Sequence, residues 1–149
     1  MKVLNFEYPD ALHYWLERNM WALPLDDGGV RVGITAFGVH ISGSFFMCRL
    51  KPVGTELLQG QTVALVELNK SVVTVKTPVS GVVRAINPLL MEHPEWIERD
   101  PYGQGWLAEL TPTRWTEDRA CLHHGVSVPE AAMQRMQLEN LDLSSEASS

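Results

Sequence analysis

Residues 62–67 read Thr-Val-Ala-Leu-Val-Glu, residues 71–76 read Ser-Val-Val-Thr-Val-Lys, and only Leu68, Asn69 and Lys70 stand between them. Side chains branched at Cβ suit an extended, half-buried backbone. Two such runs separated by a short polar reversal predict a β-hairpin with Lys70 at its tip. The flanking sequence repeats the theme. Asp26-Asp27-Gly28-Gly29 reads as a tight turn before an alternating strand over 30–35, and a strand over 44–50 is closed by Pro52 and Gly54. Pro78-Val79-Ser80-Gly81 precedes a further strand over 82–86, and residues 105–110 read as the last one. Short strands set off by turns predict a mostly β fold.

Helical signals are few. Asp10 is placed to cap a short helix over 11–18, with Leu12, Trp15 and Leu16 on its apolar side. Asn87-Pro88 opens another helical stretch that Pro94 breaks into pieces. Beyond Thr116 the pattern changes: Ser127-Val128-Pro129-Glu130 starts a helix to about residue 140, and residues 143–149 are polar enough to be disordered. The expected organisation is one β domain over 1–116 with a helical, partly disordered extension over 117–149.

The formal charge is −6, and from Glu117 onward six acids face two bases. That balance argues against nucleic acid, which requires clustered Lys and Arg. No apolar run is long enough to span a bilayer and no signal peptide is read, so a cytoplasmic location is the expectation. Cys48 and Cys121 form no CxxC pair and read as reduced thiols packed as small apolar residues. His123-His124 lacks a Cys, Asp or Glu cluster to complete a metal site and reads as surface histidine. Trp96 and Trp106 read as packing residues.

Only four lysines occur against eight arginines, and one of the four occupies the hairpin tip. A turn presents its amine to a modifying enzyme without unfolding, and a rigid stem lets a long adduct swing from a fixed base. The run from Val53-Gly54 through Glu67-Leu68-Asn69-Lys70-Ser71 to Pro78-Val79-Ser80-Gly81 resembles the lipoyl-domain family, with Gly54 and Gly81 at −16 and +11 from the lysine. Within that family it is most similar to the H proteins of the glycine cleavage system. Glu67 falls where their ESVKA motif has Glu, and Asp100-Pro101-Tyr102-Gly103-Gln104-Gly105-Trp106 matches their DPYGxGW segment. The neighbours Asn69 and Ser71 differ from the methionines that flank a biotinyl lysine.

The resemblance implies a flattened barrel-sandwich hybrid with short helices and a C-terminal helix. It implies lipoate in amide linkage to Lys70, with Glu67, Gly54 and Gly81 shaping the tip for a lipoate ligase or lipoyl transferase. It further implies a carrier without catalysis of its own, served by partner enzymes that include dihydrolipoyl dehydrogenase. By the same resemblance, Met20, Trp21 and Thr74 line the cleft that shelters the arm. Met20 replaces the Glu of the family's His-Glu-Trp, and Thr74 replaces an Asp four residues after the lysine. A buried protonated amine needs carboxylate partners, and these positions supply none. The favoured expectation is therefore a carrier of sulfur-containing cargo, like the lipoate-binding proteins of heterodisulfide-reductase-like sulfur oxidation systems, since a dithiol exchanges readily with sulfur electrophiles. The alternatives are an H protein shuttling the aminomethyl group among glycine cleavage enzymes, and an unmodified H-like binding module.

Overall fold

A computed structural model describes residues 1–148. A two-stranded ribbon, β1 (Lys2–Val3) with β2 (Phe6–Glu7), precedes an antiparallel meander of β3 (His13–Trp15), β4 (Met20–Pro24) and β5 (Val30–Ile34). After α1 (Ala36–Ser42) come β6 (Met47–Leu50), β7 (Glu56–Leu57), β8 (Thr62–Glu67), β9 (Val72–Lys76) and β10 (Gly81–Ile86). The chain closes with α2 (Trp96–Arg99), β11 (Ala108–Pro112), α3 (Trp115–Arg119) and α4 (Val128–Ser148). Three 3-10 turns, Leu16–Arg18, Pro88–Met91 and Gly125–Ser127, join these elements. Among the described residues the fold is mostly β, in three sheets without a closed barrel: the ribbon, a six-stranded sheet ordered β3-β4-β5-β11-β10-β7, and a three-stranded sheet ordered β6-β8-β9.

The two larger sheets pack across one apolar core. Met20, Ala22, Val32, Val83, Ala108 and Leu110 of the large sheet meet Cys48, Val63, Ala64, Val66 and Val75 of the small one. Side chains alternate across a strand, so Trp21, between Met20 and Ala22, enters a second core on the opposite face. There Tyr8, Tyr14, Leu16 and Phe37 pack with Val128, Ala132 and Met136 of α4.

Several elements differ from the sequence expectation. Residues 11–18 form no α-helix; His13, Tyr14 and Trp15 pair with Ala22, Trp21 and Met20, and the 3-10 turn follows. Aromatic residues gain more from cross-strand packing there than an isolated helical turn could supply. The expected strand over 30–35 stops at Ile34, because the Thr35 hydroxyl accepts from Gly38 N at 3.1 Å and caps α1, a helix the sequence reading missed. The expected strands over 44–50 and 105–110 are found at Met47–Leu50 and Ala108–Pro112. Asn87 does cap as expected, accepting from Leu89 N at 3.0 Å, but into a 3-10 turn. Helix α4 runs to Ser148, past the end expected near residue 140 and through all but the last of the residues expected to be disordered; that last one, Ser149, lies outside the described residues.

Candidate functional site

The hairpin β8–β9 pairs from Thr62↔Lys76 to Glu67↔Val72. Beyond the last pair, Leu68 N donates to Ser71 O at 2.8 Å, so Asn69 and Lys70 alone make the loop and Lys70 stands exposed. The neighbouring segment steadies the tip, since Phe46 N donates to Glu67 O at 2.8 Å. The Glu67 side chain is exposed one residue pair below the turn.

Gly54 and Gly81 belong to the other sheet's side of the molecule. Gly54, at φ +94°, turns the chain ahead of β7, and its N–H donates to Val83 O at 2.7 Å. Gly81 sits in β10 where a Cβ would come within 2.4 Å of Thr111 O. Gly54 needs glycine for its positive φ, and Gly81 for a backbone approach that a larger residue would block. Neither is part of the three-stranded sheet that carries Lys70.

Beside the hairpin stem lies a groove of about 360 Å3. One wall comes from the 3-10 turn and the start of β4, with Glu17, Arg18, Asn19 and Met20. The other comes from the hairpin, with Leu68, Val73 and Thr74, and α1 contributes Gly38, Ile41 and Ser42. Its apolar lining includes Phe45, Val66 and Val75. The charged lining residues are Glu17, Arg18 and Lys76, one acid and two bases, and Lys76 Nζ donates to Thr62 Oγ1 at 3.2 Å.

Met20 and Thr74 thus stand on this groove from opposite walls. Trp21 does not: it is fully buried in the second core, and its Nε1 donates to Pro101 O at 3.0 Å. The 100–106 segment explains that placement. Asp100 Oδ2 accepts from Gln104 N at 2.9 Å, and Asn87 Nδ2 donates to Gln104 O and Trp106 O at 2.7 and 2.8 Å. Tyr102 donates its hydroxyl to Glu7 O at 2.6 Å while accepting from Ala36 N at 3.1 Å. Burial holds that phenol well above its usual titration range. The segment therefore ties the N-terminal ribbon, the start of α1 and Trp21 to one loop. Its work is structural support behind the groove.

Sequence reasoning missed Glu17, Arg18, Ile41, Ser42 and Phe45. The Thr35 cap was the one local signal for the helix that brings Ile41 and Ser42 to the groove. Of the two cysteines, Cys48 is buried, and burial pushes its thiol up to about 12. Cys121 is exposed in the turn after α3, contrary to the expectation that both pack as apolar residues. Among the described residues no group of three or more His, Cys, Asp or Glu is placed to hold a metal, and no helix is long and apolar enough to cross a membrane.

A sequence model of the glycine cleavage H-protein family matches residues 13–134. The chain belongs to the glycine cleavage H-protein family. Glycine cleavage system H protein 2 of Aquifex aeolicus is 31% identical over 138 residues, covering 93% of this chain and 86% of that protein. H protein 3 of the same organism is 36% identical over 105 residues, and the match spans 65% of its length. A glycine cleavage system H protein structure from Mycobacterium marinum superposes with a TM-score of 0.65 at 33% identity, covering 71% of this chain and 87% of that one. Glycine cleavage H proteins carry lipoate covalently attached to a lysine. The site suits such a group: an exposed amine stands on a two-residue loop, and the groove beside its stem carries apolar side chains, Met20, Ile41, Phe45 and Val73, among polar ones, a surface against which an aliphatic chain and its disulfide ring can lie.

Proposed function

We propose that this H-family protein is a non-catalytic carrier with lipoate in amide linkage to Lys70, and that it shuttles aminomethyl cargo among the enzymes of glycine cleavage. The observation that carries the reading is the exposed Lys70 on a two-residue turn whose paired stem forms one wall of the groove. The family match favours this cargo. Bound lipoate would supply a redox-active dithiol on a long tether. The protein's own part is to present the amine, orient the tether's base through the paired stem, and shelter the tether's end from water against Met20, Ile41, Phe45 and Val73. On this reading a lipoate ligase or lipoyl transferase meets the tip at Glu67 and Lys70, while Gly54 and Gly81 keep the supporting sheet in shape. Dihydrolipoyl dehydrogenase would reoxidise the dithiol. The cytoplasm is the proposed location.

Intact-protein mass spectrometry with peptide mapping, on material from the native host, tests the attachment. One lipoyl adduct on Lys70 is expected. An unmodified Lys70 in the native host would instead favour an H-like binding module.

One observation favours a second reading, a carrier of sulfur-containing cargo working with a heterodisulfide-reductase-like complex. Met20 and Thr74 place no carboxylate on facing walls, and the charged lining has more bases than acids. A protonated amine gains little there. Lipoylated protein mixed with glycine, pyridoxal phosphate and a glycine decarboxylase separates the two: release of carbon dioxide with methylamine loading supports glycine cleavage, whereas inertness supports the sulfur reading.

A further inference from the structure

The C-terminal segment fastens to the β core through two stacked titratable rings. Tyr14 N donates to His123 O and His123 N to Tyr14 O, each at 2.8 Å, which extends the six-stranded sheet beyond its β3 edge. The next residue, His124, lies flat against His13 of β3, with ring centroids 4.0 Å apart and planes 13° from parallel. His124 Nδ1 lies 2.8 Å from Leu12 O, an atom that can only accept, so this nitrogen carries the proton. The edge of Trp115 from α3 closes over His13, at 5.0 Å between centroids.

This fastening bears on the groove. Just past His124 the chain enters α4, whose Val128, Ala132 and Met136 share the second core with Leu16. Leu16 opens the 3-10 turn whose Glu17 and Arg18 form part of the groove wall. The back of the groove wall therefore rests on a helix that the histidine stack helps hold in place.

The surroundings of His13 disfavour a charge on its ring. The charged groups facing His13 are the His124 imidazole and the Arg119 guanidinium of α3, and both oppose a proton on it. The shared cavity adds Thr116 and Ser127 but, among the described residues, no carboxylate. We propose that the His13–His124 stack is an acid-sensitive clasp, and that protonation of His13 releases residues 121–139 from β3 and slackens the groove wall over residues 16–20.

The direction follows from linkage. Burial chiefly, then His124 and Arg119, lowers His13 from its ordinary 6.5 to about 4 while the segment is docked. Above 6.5 both states are neutral and docking is at full strength. As the pH falls below 6.5 the undocked ring takes up a proton and the docked ring does not. Docking then weakens by at most about tenfold per pH unit, until the docked ring itself titrates near 4. The onset lies in the physiological range although the docked ring's own midpoint does not.

Hydrogen exchange by mass spectrometry on the full chain, corrected for intrinsic rates, tests the clasp between about pH 7.5 and 5. The expected result is about tenfold or greater loss of protection in peptides over 121–139 and 14–20, with the 62–76 hairpin unchanged. A His13→Phe variant keeps a ring against His124 without the titration of His13, leaves the His124 bond to Leu12 O in place, and should hold its protection. Wild type and variant losing protection in parallel would overturn the proposal, as would a hairpin that opens with α4 or a wild type that loses none. Should that variant not fold, the NMR titration of His13 in the wild type decides. A midpoint well below 6.5 upholds the clasp, and an ordinary one overturns it.

Discussion

At the scale of single residues, Lys70 is exposed and Cys48 buried on the same small sheet. Lys70 occupies a loop with no packing duty, so Lys70→Arg should abolish any lipoyl adduct while changing stability by less than about 0.5 kcal/mol. Mass spectrometry beside a urea melt checks both halves, and an adduct surviving the change would remove Lys70 from the site. Cys48 lies across from Val66 in the apolar core, its thiol pushed up to about 12, while Cys121 is exposed. A maleimide should therefore label Cys121 at native pH and reach Cys48 only in denaturant; equal labelling of the two would contradict this burial. Residue identity made Lys70 legible in the sequence, because one lysine between two β-branched runs needs no tertiary information to locate. It misjudged Trp21. Alternation along β4 sends Met20 toward the groove and Trp21 to the opposite face, and which face holds which core is a property of the assembled sheets.

At the scale of elements, the hairpin was readable because its pairing is local, and the groove was not because its walls come from distant segments. The 3-10 turn, α1 and β9 meet only after the two sheets pack. The expected helix over 11–18 failed for a related reason: β4, several residues downstream, offers His13–Trp15 a pairing partner that local propensity does not register. Gly81 shows how closely the elements approach. A Cβ there would meet the backbone of β11 at 2.4 Å from Thr111 O, and backbone cannot swing aside as a side chain can. Gly81→Ala should destabilise the protein by about 1–3 kcal/mol in urea unfolding, through forced separation of β10 and β11. Lipoylation of the folded fraction should continue, since β8–β9 belongs to the other sheet. An unchanged unfolding midpoint would mean that the strands yield freely.

At the scale of the whole molecule, two cores divide the labour. The first joins the sheets and carries the hairpin; the second joins α4, α1 and the N-terminal segment behind the groove wall. The boundary runs through β4, which contributes Met20 and Ala22 to one core and Trp21 to the other. Met136 is buried to 2% exposure in the second core, against Val128 and Ala132 of its own helix. A charge placed there cannot stay buried unpaired, so the helix must turn it out to water. Met136→Asp should forfeit about 2–3 kcal/mol of apolar burial and undock α4. The exposed amine and the paired stem of β8–β9 depend on the first core, so the variant should still accept lipoate on Lys70 at a rate within about twofold of wild type. Exchange in residues 14–20 should quicken while that in 62–76 does not. The decisive comparison is modification rate against hairpin protection in the same sample. If both collapse with α4, the cores are one cooperative unit and the extension is needed for carrier competence. If both persist, attachment belongs to the sheet pair, and the C-terminal helix acts only on the groove wall.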